Sequence, residues 1–190
     1  MLKELFVNCI NEPWQTIGLD TQYKILNNTL YLQPSSSLSD WINNFDFPAK
    51  AYNGSNIKWY VHRGFLRVYK AAREQLLKVI IDNKINTIVG YSHGAAIATL
   101  LHEDCIFNGL NVFTYVFGSP RIVWMPGKKI LNRWDNFFRI NNNGDLVSHL
   151  PPFLFGFKHV GTKINIGSKV FIPKIKYHEQ SKYIDNLQGL

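Results

Sequence analysis

Apolar positions recur at helical spacing in one long segment of the chain and form short runs in several others. Over residues 65–82 they return every three or four positions, which predicts a long amphipathic helix. A second helix, apolar over most of its circumference, is predicted over 95–107, directly after a buried-type strand, Thr87–Tyr91. Also predicted are a hairpin in "YKILNNTLYLQ" turning at Asn27-Asn28, strands in "NVFTYVFGSP" and "FFRINN", a late hairpin in "KINIGSKVFIP", and a closing helix over 178–187.

The alternation of strands and helices predicts an α/β fold, with residues 1–190 as one domain. Strands joined through helices pair in parallel, so we expect a mostly parallel central sheet with helices on both faces. Reactive residues in such folds lie beyond the carboxyl ends of the strands. Ser92, the Gly118-Ser119 turn and Asp145 each follow a predicted strand. This edge of the sheet is therefore where a site is expected.

A short amphipathic helix is predicted over 38–45. Its apolar stripe consists of Leu38, Trp41, Ile42 and Phe45. From the residues alone, this stripe either packs on the core in the ordinary way or forms a lid over the site. The segment that follows, "AKAYNGSNIK", is interpreted as a loop.

Ser92 stands between two glycines, at the junction of the predicted strand and the predicted helix after it. A nucleophile elbow needs this context, because a sharp strand-to-helix turn holds the serine oxygen exposed above the sheet. Gly90 and Gly94 leave room for the neighbouring strand and helix. The same turn points the backbone N–H of His93 toward a developing oxyanion. The alternative is that Ser92 only caps the helix. Its position between a strand and a helix, with a glycine on each side, favours the nucleophile.

A nucleophilic serine needs a histidine as base and a carboxylate that orients the histidine. In this fold the order along the chain is serine, acid, histidine. Asp145 is the best placed acid, because Glu103 and Asp104 lie in the helix that leaves the site. Spacing leaves His159 and His178 both open as the base, and a late loop before the final helix favours His178.

The composition, with 46% hydrophobic and 18% charged residues in 190, is that of a globular protein. The chain has no apolar run long enough to cross a membrane and no recognisable secretory signal, so an intracellular location is the default expectation. Two cysteines are too few for a disulfide framework. The segment "HEDC" at 102–105 does not predict a metal site, because neighbouring helical residues diverge around the axis.

The net charge of +8 suits an anionic partner. Residues 158–182 contain six lysines and a single acid, Glu179. This basic stretch either contacts an anionic surface such as a membrane or serves only for solubility. Nucleic acid is not an expected partner, because no zinc-finger, helix-turn-helix or RNP-type motif accompanies the charge.

Several segments match a known family pattern in the same order along the chain. They are "SSSLSDWINNFDF", "VHRGFLRVY", "GYSHGAAIA", "VFGSPRI", "RINNNGDLVSHLPP", "KHVG" and "YHEQSKYIDNL". Together, over about residues 29–183, they resemble the class 3 lipases, the fungal-type triacylglycerol lipase family of the α/β-hydrolase fold. The first segment resembles the oxyanion loop and lid of that family, and the third its nucleophile elbow.

The resemblance implies a serine esterase or lipase with Ser92 as nucleophile, Asp145 as orienting acid and His178 as base. It also implies that Ser35 supplies a second oxyanion donor, opposite the N–H of His93. The residues expected to contact the substrate are Trp41, Tyr91, Phe153 and Phe155. The expected substrate is an acylglycerol or similar lipid ester, and neither a metal nor an organic cofactor is expected.

The chain departs from the family pattern at several positions. Tyr91 and His93 stand where the family usually has histidine and leucine around the nucleophile, and Ala95 replaces a second glycine. Gln33-Pro34 replaces an arginine-glycine pair before the oxyanion residue, and proline has no N–H to donate. Two alternatives are kept: a phospholipase A1-like activity on anionic membranes, and a non-catalytic interaction protein on the same fold.

Overall fold

A mixed sheet, parallel through its centre, organises the chain. The structure is a computed structural model and describes residues 1–19, 21–33, 48–52 and 59–188. Seven strands within these ranges form the sheet. In spatial order they are β1 (Gln15–Ile17), β2 (Thr21–Leu26), β3 (Thr29–Gln33), β6 (Thr87–Tyr91), β7 (Phe113–Phe117), β9 (Phe137–Asn142) and β11 (Thr162–Ile166). The first three pair antiparallel and the remaining neighbours pair in parallel, so β2 is reversed and the other six strands of this sheet run in one direction.

The central strands are buried on both faces, which explains their continuous apolar sequences. Four of the five residues of β6 are buried, and its Gly90 pairs with Leu32 of β3 and with Val116 of β7. This register places the carboxyl ends of β3, β6 and β7 side by side. The expected mostly parallel α/β sheet is confirmed.

Helices cover both faces of the sheet. On one face, α2 (Arg63–Asp82) and α3 (His93–Phe107) bury their apolar side chains in the larger core. On the other face, α1 (Leu2–Ile10) and α5 (Gln180–Asn186) close over a second cluster that contains Phe6 and Tyr183. A one-turn helix, α4 (Lys128–Leu131), and three 3-10 turns (Val147–His149, Phe153–Phe155 and Ile175–His178) lie in the connections. No helix within the described ranges is long and apolar enough to cross a bilayer.

A second, antiparallel sheet of four strands in the described ranges packs beside α2. In spatial order its strands are β10 (Phe157–Lys158), β8 (Val123–Trp124), β5 (Trp59–His62) and β4 (Ala49–Tyr52). The fully buried Asp104 of α3 joins β4 to both helices, because it accepts hydrogen bonds from the Tyr52 hydroxyl, the Tyr69 hydroxyl (2.5 Å) and Arg73 Nε (2.5 Å). Three donors satisfy a buried carboxylate that would be costly alone. Asp104 therefore has a structural role.

Four predictions about local structure need correction or fall outside the described residues. Ala49–Tyr52 was expected in a loop but forms β4, because it pairs with β5. The late hairpin is wrong: Thr162–Ile166 is a single strand that pairs in parallel with β9. The closing helix begins at Gln180, since Glu179 has an extended backbone (ψ 142°) that separates it from the turn at His178. The candidate lid, 38–45, lies outside the described residues, and one domain over 1–190 stays a prediction.

Phe6 holds α1 on the sheet, and its removal tests this packing. The ring is fully buried and lies 5.3 Å from Tyr91, 4.9 Å from Phe117 and 5.2 Å from Tyr183. We expect Phe6→Ala to lower the free energy of unfolding by about 3–5 kcal/mol in urea denaturation, because the cavity is lined by rigid rings. The control Phe171→Ala, at a ring that is 89% exposed, should change it by less than about 0.5 kcal/mol. Equal effects of the two substitutions would contradict this packing.

Candidate active site

The turn from β6 into α3 holds Ser92 in a strained backbone conformation. Its φ is 56° and its ψ is −121°, values that a non-glycine residue adopts rarely and at a cost. The Ser92 N–H donates to the carbonyl of Phe117 at 3.0 Å, which ties the turn to the end of β7. Directly after it, His93 is the first residue of α3. This is the strand–serine–helix geometry of a nucleophile elbow.

Gly94 allows the end of β3 to approach the elbow closely. A Cβ atom at this position would lie 2.2 Å from the carbonyl oxygen of Leu32 and 2.6 Å from the Cα of Gln33. Both are backbone atoms, which cannot move aside without displacing the strand. Glycine is therefore required where β3 ends beside Ser92.

Ser92, His178 and Asp145 form a continuous hydrogen-bonded relay. The Ser92 hydroxyl donates to His178 Nε2 at 2.9 Å, and His178 Nδ1–H donates to Asp145 Oδ2 at 2.8 Å. This direction follows from the carboxylate, which accepts hydrogen bonds and so fixes the proton on Nδ1. The neutral Nε2 is left to accept the serine proton, which is what a general base does for a serine nucleophile.

The Asp145 carboxylate is fully buried and accepts two hydrogen bonds besides that of His178. The Tyr183 hydroxyl of α5 donates to Oδ2 at 2.6 Å, and the Val147 N–H donates to Oδ1 at 2.8 Å. Burial, and next the negative charge of Asp145, raise the pKa of Tyr183 well above its ordinary value, so it stays a donor. These bonds hold both oxygens of the carboxylate in place.

The imidazole of His178 lies between Tyr91 and Gly118. The ring of Tyr91 stacks on it at 5.0 Å, and the Tyr91 hydroxyl donates to the backbone carbonyl of His178. Gly118, with φ +57°, leaves space that a Cβ would take, 2.6 Å from His178 Cε1. The ring plane and the backbone of the histidine are therefore both constrained.

The other residues predicted for the site lie in different positions. Tyr91 supports His178 and is buried, whereas Phe153 and Phe155 are 67% and 54% exposed. His93 packs its ring on Phe65, with centroids 5.3 Å apart, and its N–H belongs to the first turn of α3. Ser35 and Trp41 lie outside the described residues. The relay thus unites three predicted residues whose separations along the chain are 86 and 33 positions.

His159, the histidine that spacing left open, lies outside the relay. Its Nε2 donates to the Ser148 carbonyl at 2.8 Å, and burial lowers its pKa well below the ordinary value. His102 is buried, bonded through Nδ1 to the Thr114 hydroxyl at 2.9 Å, and desolvation lowers its pKa to about 4. Within the described ranges no group of three His, Cys, Asp or Glu residues could hold a metal.

Sequence reasoning missed Tyr183 and Phe6 as parts of the site and its support, whereas the turn at Gly118 was expected at this edge. Tyr183 follows His178 by five positions, and the turn that separates the two is not visible in the apolar pattern. Phe6 lies 85 residues before the Tyr91 ring that it contacts. Such contacts between distant segments have no local signal in a single sequence.

Gly94→Ala tests the close contact between β3 and the elbow. We expect a loss of at least about 2 kcal/mol in the free energy of unfolding, because a backbone carbonyl blocks the new methyl group. Gly127→Ala is the control, since its Cβ would meet nothing within 4 Å and its φ of −71° suits any residue. Urea denaturation of both variants measures the difference, and a tolerated Gly94→Ala would contradict the contact.

Known proteins similar to this chain are lipases and phospholipases. The lipase of Rhizomucor miehei is 31% identical over 173 residues, which cover 80% of this chain and 47% of that protein. The solved R. miehei lipase propeptide complex has a TM-score of 0.67 at 28% identity, covering 83% of this chain and 56% of that one. Phospholipase A1-II 4 of Oryza sativa subsp. japonica is 29% identical over 163 residues, covering 68% of this chain and 41% of that protein.

One further solved structure, of a triacylglycerol lipase described as having a serine protease triad as its catalytic centre, has a TM-score of 0.65 at 26% identity. It covers 82% of this chain and 66% of that one. The chain spans about half the length of the curated relatives it matches. The profile of the family "Lipase (class 3)" matches residues 29–155. With this match and the α/β-hydrolase fold of its structural relatives, the chain belongs to the class 3 lipase family.

Proposed function

We propose that the chain hydrolyses carboxylic esters of lipids through a covalent acyl-enzyme. Ser92 is the proposed nucleophile, His178 the base and Asp145 the orienting acid. The observation that carries the proposal is the unbroken relay from Ser92 Oγ to Asp145 Oδ2, with steps of 2.9 and 2.8 Å. The serine protease triad of the similar triacylglycerol lipase supports the same roles.

The proposed reaction runs in two halves. Ser92 Oγ attacks the ester carbonyl carbon as its proton passes to His178 Nε2, and the carbonyl oxygen becomes an oxyanion. The C–O bond to the alcohol then breaks, and the alcohol leaves with the proton from Nε2. Water attacks the acyl carbon and gives a proton to Nε2, which returns it to Ser92 Oγ as the carboxylic acid leaves.

The proposed oxyanion donors are the backbone N–H of His93 and the Ser35 group. His93 is in the first turn of α3, where backbone N–H groups point out of the helix and the helix dipole favours negative charge. Losing one such donor typically costs about 10²–10³ in rate. Gln33-Pro34 directly precedes Ser35 in the sequence, and the proline has no N–H to add to this second donor.

The proposed substrate is an acylglycerol or a similar lipid ester. Exposed aromatic side chains at Phe153 and Phe155 support contact with acyl chains, because clustered water-exposed apolar side chains favour an apolar partner. The segment 38–45 is proposed as a lid that brings Trp41 over the substrate, and Tyr91 is proposed to act on binding through the position of His178.

A phospholipase A1-like activity on anionic membranes is the second candidate. Phe171 is 89% and Ile172 68% exposed, and the exposed Lys169 and Lys174 flank them in the chain. Exposed apolar side chains between two lysines are suited to the boundary between headgroups and acyl chains. The similarity to a phospholipase A1 of Oryza sativa supports this alternative. Hydrolysis of p-nitrophenyl esters of increasing chain length, compared with a phospholipid, separates the two candidates.

A fluorophosphonate probe tests the nucleophile and its base directly. We expect rapid labelling at Ser92 in the wild type, and a fall of about 10³-fold or more in labelling and ester hydrolysis in His178→Gln, since glutamine cannot accept the serine proton. His159→Gln is the matched control and should keep the labelling, because a glutamine amide can still donate to the Ser148 carbonyl. A wild-type protein that stays unlabelled would instead support a non-catalytic interaction protein on this fold.

Tyr183→Phe tests the support of the acid. Without the hydroxyl, Asp145 loses one of its donors and holds His178 less firmly, so we expect kcat to fall about tenfold with little change in KM. Tyr115→Phe is the control, at a half-buried tyrosine stacked on Phe138 at 5.2 Å. Unchanged kcat in Tyr183→Phe, or an equal fall in both variants, would show that Asp145 does not depend on this bond.

A further inference from the structure

A cationic groove lies beside the first two turns of α2. Its volume is about 420 Å³, far larger than a water molecule needs, and it is lined by Lys50, Arg63, Leu66, Arg67 and Lys70. Lys50 comes from β4, and the other four residues come from α2. Leu66 is buried and forms an apolar floor, whereas the four cations are exposed. The groove therefore combines four positive charges with an apolar base.

The positions of the groove cations are electrostatically unfavourable for an isolated helix. Arg63 and Arg67 are four positions apart and Arg67 and Lys70 are three apart, spacings at which like charges repel. The first turn of α2 has no acidic residue, although the helix dipole favours one there. Lys50, Arg67 and Lys70 form no ion pair with any described residue, Glu74 one turn further along included.

The groove lies at the end of α2 that is nearer the catalytic edge of the sheet. α2 runs antiparallel to the central strands, so its first residues lie near the ends of those strands rather than near their starts. Phe65, next to the Leu66 floor, contacts the His93 ring at 5.3 Å, and His93 follows Ser92 directly. The first turns of α2, which carry the groove, are thus at the same end of the sheet as Ser92.

We propose that this groove binds the anionic headgroups of a phospholipid bilayer and thereby orients the catalytic edge toward the membrane. The inference deepens the proposed function, since it names the lipid surface on which that site acts. Charge complementarity carries it: three cations that have no ion pair among the described residues surround an apolar floor, and they match negative headgroups above acyl chains. The groove lies outside the basic segment 158–182, so it is a separate determinant of membrane contact.

Vesicle co-sedimentation with a matched pair of charge variants tests the groove. The variant Arg67→Gln with Lys70→Gln removes two groove charges, and Lys78→Gln with Lys84→Gln removes two charges at the far end of the same helix and the turn after it. On phosphatidylcholine vesicles that contain phosphatidylglycerol, we expect the groove variant to bind about tenfold or more weakly than the wild type and the control less than about threefold. Circular dichroism checks that both variants are folded.

Three results would overturn the groove proposal. They are equal losses in the two variants, which would mean that net charge alone drives binding; no loss in the groove variant; and inorganic phosphate binding to the groove at least as well as the vesicles do. Wild-type hydrolysis of p-nitrophenyl butyrate, measured without vesicles, reports on the catalytic proposal by itself. Failure of the groove and failure of the ester hydrolase are therefore seen in different measurements.

Discussion

The buried charge of Asp145 is the constraint on which the candidate site depends. A carboxylate without solvent is costly unless donors surround it. Here the donors come from three places: the imidazole of His178, the Tyr183 hydroxyl and the Val147 N–H. Two of these donors, His178 and Tyr183, belong to the 3-10 turn Ile175–His178 and to α5. Their hydrogen bonds to Asp145 hold both segments at the edge of the sheet. The same bonds that satisfy the charge also fix the tautomer and the orientation of the His178 imidazole.

Much of this arrangement could be predicted from the sequence, and the failures have physical causes. The long helix over 65–82 and the strand before Ser92 were predictable because periodicity and flanking glycines are local signals. β4 was not, since Ala49–Tyr52 is a strand by virtue of its partner β5 rather than of its own apolar pattern. The late hairpin failed for the converse reason: the residues after Gly167 have a strand-like sequence, but they lead to Lys174, which bridges Asp145, instead of pairing with β11. Whether His159 or His178 completes the relay depends on distances that spacing does not give.

The departures from the family pattern around the nucleophile form a connected set in space. Tyr91, in place of a histidine, stacks on His178 and also contacts Phe6 of α1. His93, in place of a leucine, packs on Phe65 at the start of α2. Tyr91 therefore links the elbow to α1 on one face of the sheet, and His93 links it to α2 on the opposite face. The site is supported from both sides by aromatic contacts that this chain makes with its own helices.

His102 lies on α3 well away from the relay, and its burial has a consequence for tolerance of acid. Its folded-state pKa is about 4, because desolvation disfavours the imidazolium, whereas an unfolded histidine titrates near 6.5. At a pH between these two pKa values, His102 is mostly protonated in the unfolded chain and mostly neutral in the native chain. The contribution of His102 to the free energy of unfolding is therefore at its maximum above about pH 6.5, and up to about 3 kcal/mol of stability is lost as the pH falls toward 4. Burial, against the stacked Trp134 among others, and next the positive charge of Arg133 keep this ring neutral, so a histidine remote from the site makes the whole fold sensitive to acid.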